Sequence, residues 1–216
     1  MGQVLGRQQV SIEGHLGPYV IERPKLLWNP LTECFVMWVH LDSNDYTYRY
    51  VGIAVSSVPN GVFTLLHAFR PDGIPSLDVN LYEDTHNGSV NSAYFVRSCN
   101  HQYVGISRLT DDYLNTMGLT STINELREGH AIFHRNSNYY TMISHLTSWA
   151  SNAVDLFITN ADSLQNVKWI SLGNSTHSDT TLNSLSRLLF FRFRQRNNQQ
   201  VYFMFTCVIV GIILTY

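Results

Sequence analysis

Charge is scarce in this chain. Only 14% of its 216 residues are Asp, Glu, Lys or Arg, and the formal net charge is −2. No basic block occurs before residue 187, so the electrostatic footprint of a nucleic-acid binder is missing and nucleic acid is not expected as a partner. Cysteine is also sparse, with Cys34, Cys99 and Cys207 only. Three thiols make no disulfide framework; a Cys34–Cys99 bridge stays open, and no CxxC or His/Cys spacing marks a structural zinc site. The opening MGQVLGRQQVSIEG has no apolar h-region and so is not a signal peptide, and Gly6 stands where a myristoylation pattern needs Ser or Thr. A long amphipathic helix is absent throughout.

What is present is apolar and aromatic. Hydrophobic residues make up 44%, with 12 Tyr, 11 Phe and 4 Trp. A core can be built, and disorder is excluded over most of the length. Short runs rich in Val, Ile, Tyr, Phe and Trp recur: CFVMWVHL (34–41), YVGIAVSS (50–57), GVFTLLHAF (61–69), SAYFVRSC (92–99), YVGISRL (103–109), HAIFHR (130–135), NYYTMISH (138–145), DLFITN (155–160) and VKWISL (167–172). Each reads as a strand, and VPNG, RPDG, THNG and RNSN between them read as turns. Short strands at regular spacing imply an all-β sandwich, barrel or propeller. A loose repetition of ~45 residues favours the propeller.

The chain divides into an N-terminal lead (1–18), a propeller-like body (19–187) and a tail (188–216). The tail has a basic stretch, LLFFRFRQRNNQQ, then the apolar VYFMFTCVIVGIILTY of residues 201–216. Sixteen apolar residues behind a basic flank suit a short membrane anchor; a non-native terminus and a buried strand pair are the alternatives.

Three carboxylates begin or interrupt apolar segments instead of decorating polar ones: Glu22 in VIERPKLLWN, Asp78 in PSLDVNLYED and Glu128 in LREGHAIFH. Any one alone is an ordinary strand-end acid. In a propeller, however, the inner strands of successive blades run side by side, so acids at equivalent points converge. Converging carboxyls push one pKa upward and keep a proton available, which glycosidic cleavage requires.

The stretches YVIERPKLLWN, FVMWVHLD, VGIAVSS, HAFRPDGIPSLDVNLYED, VGISRLTDDYLN, REGHAIFHRNSNYY and SHLTSWASNA run in order from residue 19 to residue 153. In these the chain resembles glycoside hydrolase family 43, in the branch that trims β-1,3-galactan. The resemblance implies a five-bladed β-propeller, here incomplete at about three to four blades, and an inverting hydrolase acting on a β-linked galactan or related plant-type polysaccharide or oligosaccharide. It implies Glu128 as general acid, Asp78 as the group that raises and orients it, and Glu22 as a carboxylate on the substrate side. It further implies Tyr46 as a sugar contact, with Tyr48 and Tyr50 as alternatives, and Thr147, Trp149 and Asn152 as the wall of the sugar pocket, a core ring between blades being the alternative for Trp149. No metal or other cofactor is called for. An extracellular or membrane-associated setting is expected from the family and the tail. Two departures are expected to matter: the family's opening blade segment has no counterpart before Glu22, and Leu185 stands where the branch has a water-positioning glutamine, which leucine cannot replace. A catalytically impaired carbohydrate binder is therefore the competing expectation.

Overall fold

A computed structural model describes residues 19–85, 92–147 and 152–175, together with the backbone of two further strands at 188–194 and 200–206. Among the described residues the fold is all-β. The first sheet is a meander of β1 (Tyr19–Asn29), β2 (Cys34–Ser43), β3 (Tyr50–Ser56) and β4 (Thr64–Phe69). The second is β5 (Ser76–Asp84), β6 (Ser92–Cys99), β7 (Tyr103–Leu109) and β8 (Thr116–Ile123). The third is β9 (Arg127–Arg135), β10 (Asn138–His145), β11 (Val154–Thr159) and β12 (Ile170–Asn174). All pairings are antiparallel between consecutive strands, as short turns require.

The sheets begin at residues 19, 76 and 127, so the repeat is 57 and then 51 residues, longer than the spacing expected from sequence. Their first strands lie side by side, with β1 against β5 and β5 against β9. That arrangement stacks the sheets face to face. Val36, Trp38, Val51 and Ile53 of the first sheet pack on Val79, Ala93 and Phe95 of the second. Tyr94, Val96, Val104 and Ile106 on the opposite face of the second sheet pack on Tyr139, Ile143 and Phe157 of the third. Because side chains alternate across a strand, β6 sends Phe95 one way and Tyr94 and Val96 the other, which is why SAYFVRSC is apolar almost throughout.

Polar ties lock the stack. The Trp38 indole N–H donates to the Tyr113 carbonyl (2.8 Å), and the Asn29 amide donates to the Asp111 carbonyl (2.7 Å). The buried Tyr139 hydroxyl donates to Asp84 across the second interface (2.5 Å). The RPDG turn has a structural use of its own. Asp72 accepts from Arg97 (2.7 Å), Ser107 (2.6 Å) and Thr116 (2.6 Å), pinning three strands of the second sheet around a fully buried guanidinium.

The nine expected strands are found, but β1, β5 and β8 were not among them. The tail starts as a two-stranded ribbon, β13 (Leu188–Arg194) with β14 (Gln200–Thr206), so the apolar run of the expected anchor opens on a strand; residues 207–216, Leu185 and Trp149 lie outside the described residues. No described helix is long and apolar enough to cross a membrane. Cys34 and Cys99 are both free thiols, so the bridge left open from sequence is not formed.

Candidate active site

The three candidate acids sit at one recurrent irregularity. In β1, Glu22 faces His40 and Lys25 faces Trp38, so Arg23 and Pro24 together oppose one residue of β2. In β5, Leu77 faces Ser98 and Asn80 faces Val96, so Asp78 and Val79 form the same two-against-one bulge. In β9, Glu128 faces Ser144 and Ala131 faces Met142, and the bulged pair is Gly129 and His130. The first residue of each bulge is left-handed: Arg23 at φ 51°, Asp78 at φ 49° and Gly129 at φ 62°. A bulge of this kind kinks the inner strand and re-aims its side chains. Gly129 adopts the conformation freely; Pro24 fits because its bulge position needs no ladder N–H.

The bulges bring the acids to one end of the stack. Arg23 of the first sheet forms an ion pair with Asp78 of the second. Asp78 in turn reaches Glu128 of the third, whose carboxyl is buried and has Oε1 without a partner among the described residues. Burial first, then the charge of Asp78 and a hydrogen bond with it, push Glu128 up to about 7; Arg23 and the backbone N–H of Thr147 work the other way. Burial holds the neighbouring His130 well below the usual imidazole range, at about 4, and its Nδ1 lies 3.1 Å from the Asp78 carbonyl. With His130 neutral, Nδ1 is the protonated nitrogen that donates to that carbonyl.

Glu22 lies beside this pair in a different environment. Tyr46, itself on a left-handed residue (φ 56°), donates its hydroxyl to Glu22 Oε1 at 2.8 Å. His40 Nδ1 faces Glu22 Oε2 at 3.4 Å, and His40 Nε2 faces Asp42 Oδ2 at 2.8 Å. The His40 hydrogen bond leads the effects that hold Glu22 below the usual carboxylate range. Burial pulls His40 down, but hydrogen bonds to Asp42 and Glu22 outweigh it and lift the imidazole to about 9. Tyr46 is raised to about 12, by burial and by Glu22, and it also feels the charge of Asp78.

The wall residues divide. The Thr147 backbone N–H hydrogen-bonds Glu128, which places Thr147 beside the candidate acid. Asn152 is buried and used internally: its amide donates to the His145 carbonyl (2.7 Å) and to Thr147 Oγ1 (2.5 Å), while its oxygen accepts the His145 N–H (3.2 Å). It clasps the segment that carries Thr147. At the rim, Arg127 bonds Asp155 (2.7 Å) and Glu125 (2.5 Å), and donates to His145 Nδ1 (3.0 Å). Nδ1 must then be the bare nitrogen, leaving the Nε2 hydrogen for Asp155 at 3.1 Å.

Sequence reasoning missed Arg23, His40, Asp42 and His130. The signal for two of them was present in FVMWVHLD, since His40 and Asp42 are two apart on one strand and share a face. Among the described residues no group of three or more His, Cys, Asp or Glu side chains is placed to hold a metal ion.

Stacked meander sheets with acids meeting where their inner strands bulge define a glycosidase-like all-β protein with propeller-type sheets. More particularly, the chain resembles the β-1,3-galactan branch of glycoside hydrolase family 43. It is similar to an exo-β-1,3-galactanase from Phanerochaete chrysosporium solved with β-1,3-galactotriose, at 30% identity and TM-score 0.66 over 72% of this chain and 36% of that one. It is similar to an exo-β-1,3-galactanase from Clostridium thermocellum at 28% identity and TM-score 0.69, over 88% of this chain and 41% of that one. A family 43 β-1,3-galactosidase aligns at 27% identity and TM-score 0.70, over 85% of this chain and 39% of that one. The chain thus spans well under half the length of these relatives. No family model and no curated protein matches the sequence.

Proposed function

We propose that the chain is a glycoside hydrolase acting on β-linked galactan, with Glu128 as its general acid and inversion at the anomeric carbon. One observation carries the reading: the Glu128 carboxyl is buried against the Asp78 carboxylate of the neighbouring sheet, and burial first, then that charge, push it up to about 7. Such a group keeps its proton near neutrality and donates it to the glycosidic oxygen as the C–O bond breaks. Asp78 touches Glu128, so it does not stand across a sugar ring from it. Inverting pairs lie roughly 6.5–9.5 Å apart to admit a water. Asp78 is therefore the tuning and orienting group, and Glu22 is the remaining carboxylate at this end for the water or the substrate. As the water oxygen bonds to the anomeric carbon, its proton passes to the carboxylate or to solvent. The sheets are read as three to four blades of the family's five-bladed ring, a reading supported by their side-by-side first strands. Galactose release from β-1,3-galactan by the wild type and by Glu128→Gln tests the assignment; equal rates reject it.

A second reading, a galactan-binding protein without turnover, is favoured by the engagement of both Glu22 oxygens, which makes it a weak base. Calorimetry with β-1,3-galactotriose separates the two. Binding without product supports the second reading, and galactose formation ends it.

A further inference from the structure

His40 is buried to 2% exposure, yet each of its ring nitrogens faces a carboxylate oxygen. Ionised carboxylate oxygens only accept, so Asp42 at 2.8 Å from Nε2 and Glu22 at 3.4 Å from Nδ1 together favour hydrogen on both nitrogens and the imidazolium form of the ring. Asp42 is fixed as an anion from its other side. Its Oδ1 accepts the backbone N–H groups of Ser43 (2.9 Å), Tyr48 (2.9 Å) and Arg49 (3.0 Å), which leaves Oδ2 for His40. Asp42 is fully buried, and the loop from Ser43 to Arg49 folds around it, placing Tyr46 over Glu22. A chain of contacts thus runs from a backbone-anchored Asp42 through its hydrogen bond with His40 to an ion-pair contact with Glu22 Oε2, while Tyr46 holds Oε1.

We propose that His40 is a positioning residue: the Asp42–His40 pair fixes Glu22 as an oriented anion that accepts a hydrogen bond from a hydroxyl of the galactosyl ring bound beside Glu128. The proposal rests on the galactan reading given above. Its chemistry is that of a buried charged acceptor, which rewards a ring presenting a hydroxyl at that point and penalises one without it. The groups facing His40 are Glu22 on β1, Asp42 on β2, Tyr46 in the loop that follows, and His101 in the turn after β6, which feels the His40 charge. Of these, Glu22 and Asp42 contact it directly, and His101 is half-buried with its own pKa lowered by burial. The linked change on raising pH is loss of the His40 proton, centred near 9.

The full chain is tested in two arms. Long-range proton–nitrogen NMR of the wild type reads the His40 ring directly. Two N–H signals at about pH 7 are expected, one being lost towards about pH 9; a single N–H at neutral pH overturns the proposal whatever the ligand result. Calorimetry with β-1,3-galactotriose then compares the wild type with His40→Gln, whose amide can serve only one of the two carboxylates as donor. A tenfold or greater loss of affinity is expected at neutral pH; above about pH 7 both proteins also lose the Glu128 proton, and the wild type falls further than the variant towards about pH 9. If the chain turns over, KM rises while kcat changes little. Equal affinities, or a wild-type affinity flat across that range, overturn the positioning role. Should the wild type bind no galactotriose although His40 is doubly protonated, the galactan reading fails and the Glu22–hydroxyl contact goes with it, while the Asp42–His40–Glu22 relay stands. A variant that does not fold leaves both wild-type measurements able to decide.

Discussion

The acid role proposed for Glu128 rests on its surroundings, and those surroundings also set its cost. Its carboxyl titrates at about 7 instead of in the ordinary range, through burial and through Asp78. Activity on galactan is therefore expected to fall as pH rises through about 7. In Asp78→Asn the charge that opposes ionisation is gone, so the alkaline limb of the rate profile moves to lower pH; an unmoved limb would separate Asp78 from the tuning role. Stability follows by linkage. A raised carboxyl pKa destabilises the fold once the unfolded-state group ionises, with no effect below about pH 4 and the full effect above about pH 7. Glu128→Gln removes that penalty. Chemical denaturation is expected to show the variant more stable at about pH 8, by roughly 3 kcal/mol, and level with the wild type at about pH 4. Tyr46→Phe removes the hydroxyl bonded to Glu22 Oε1 but leaves the His40 contact, so galactotriose affinity should drop about fivefold to tenfold by calorimetry. At this scale the site was partly legible. Glu22, Asp78 and Glu128 stood out because each interrupts an apolar run. His40 did not, because a histidine inside a strand looks the same in sequence whether it lies between two carboxylates or in an ordinary core.

The three bulges are the element-scale counterpart of that constellation. Equivalent positions in β1, β5 and β9 carry Glu22, Leu77 and Glu128, followed by left-handed Arg23, Asp78 and Gly129. The pattern explains why sequence found the acids while omitting two of the strands that bear them. A bulge breaks strict alternation, so β1 and β5 lose the period-two signal that marked their neighbours. β8 was hidden for another reason: it is an outer strand with Met117 and Leu119 exposed and Gly118 at φ 109°, so its pattern is neither buried nor alternating. Central strands such as β2, β3 and β6 were legible because both their faces are covered. The bulge also makes a prediction. Gly129→Ala places a Cβ on a left-handed residue, at a cost of roughly 1–2 kcal/mol. Relief of that strain would move Glu128, one residue earlier, away from Asp78. The variant is expected to lose more activity than its modest fall in melting temperature explains, with the alkaline limb shifted downward as in Asp78→Asn. A variant that is destabilised but keeps the wild-type pH profile would show that the bulge does not set the Glu128 environment.

Across the whole molecule, the sheets are held by two apolar interfaces that share the second sheet. Phe95, fully buried, faces the first sheet and packs 4.6 Å from Trp38 between ring centroids. Tyr139, also fully buried, faces the second sheet from the third and donates to Asp84. The site depends on both interfaces, because Arg23, Asp78 and Glu128 come from three different sheets and their contacts cross from one to the next. Phe95→Ala should cost about 3–5 kcal/mol through lost transfer energy and an uncollapsed cavity. Tyr139→Phe keeps the ring but leaves the buried Asp84 carboxylate short of a donor, at about 1–3 kcal/mol. These substitutions lie on opposite sides of the second sheet, so they report on whether the stack is one cooperative unit. If it is, each variant unfolds in denaturant through one transition at a lower midpoint, with an unchanged slope. If the sheets unfold separately, Phe95→Ala splits off a phase carrying the Trp38 fluorescence and Tyr139→Phe leaves that phase in place. The single transition is the expected outcome, since β5 and β6 contribute to both interfaces at once and neither can open without exposing a face of the same sheet. Loss of Trp38 fluorescence and loss of galactotriose binding should then follow the same denaturation curve, tying the site's integrity to the stack and not to any one sheet.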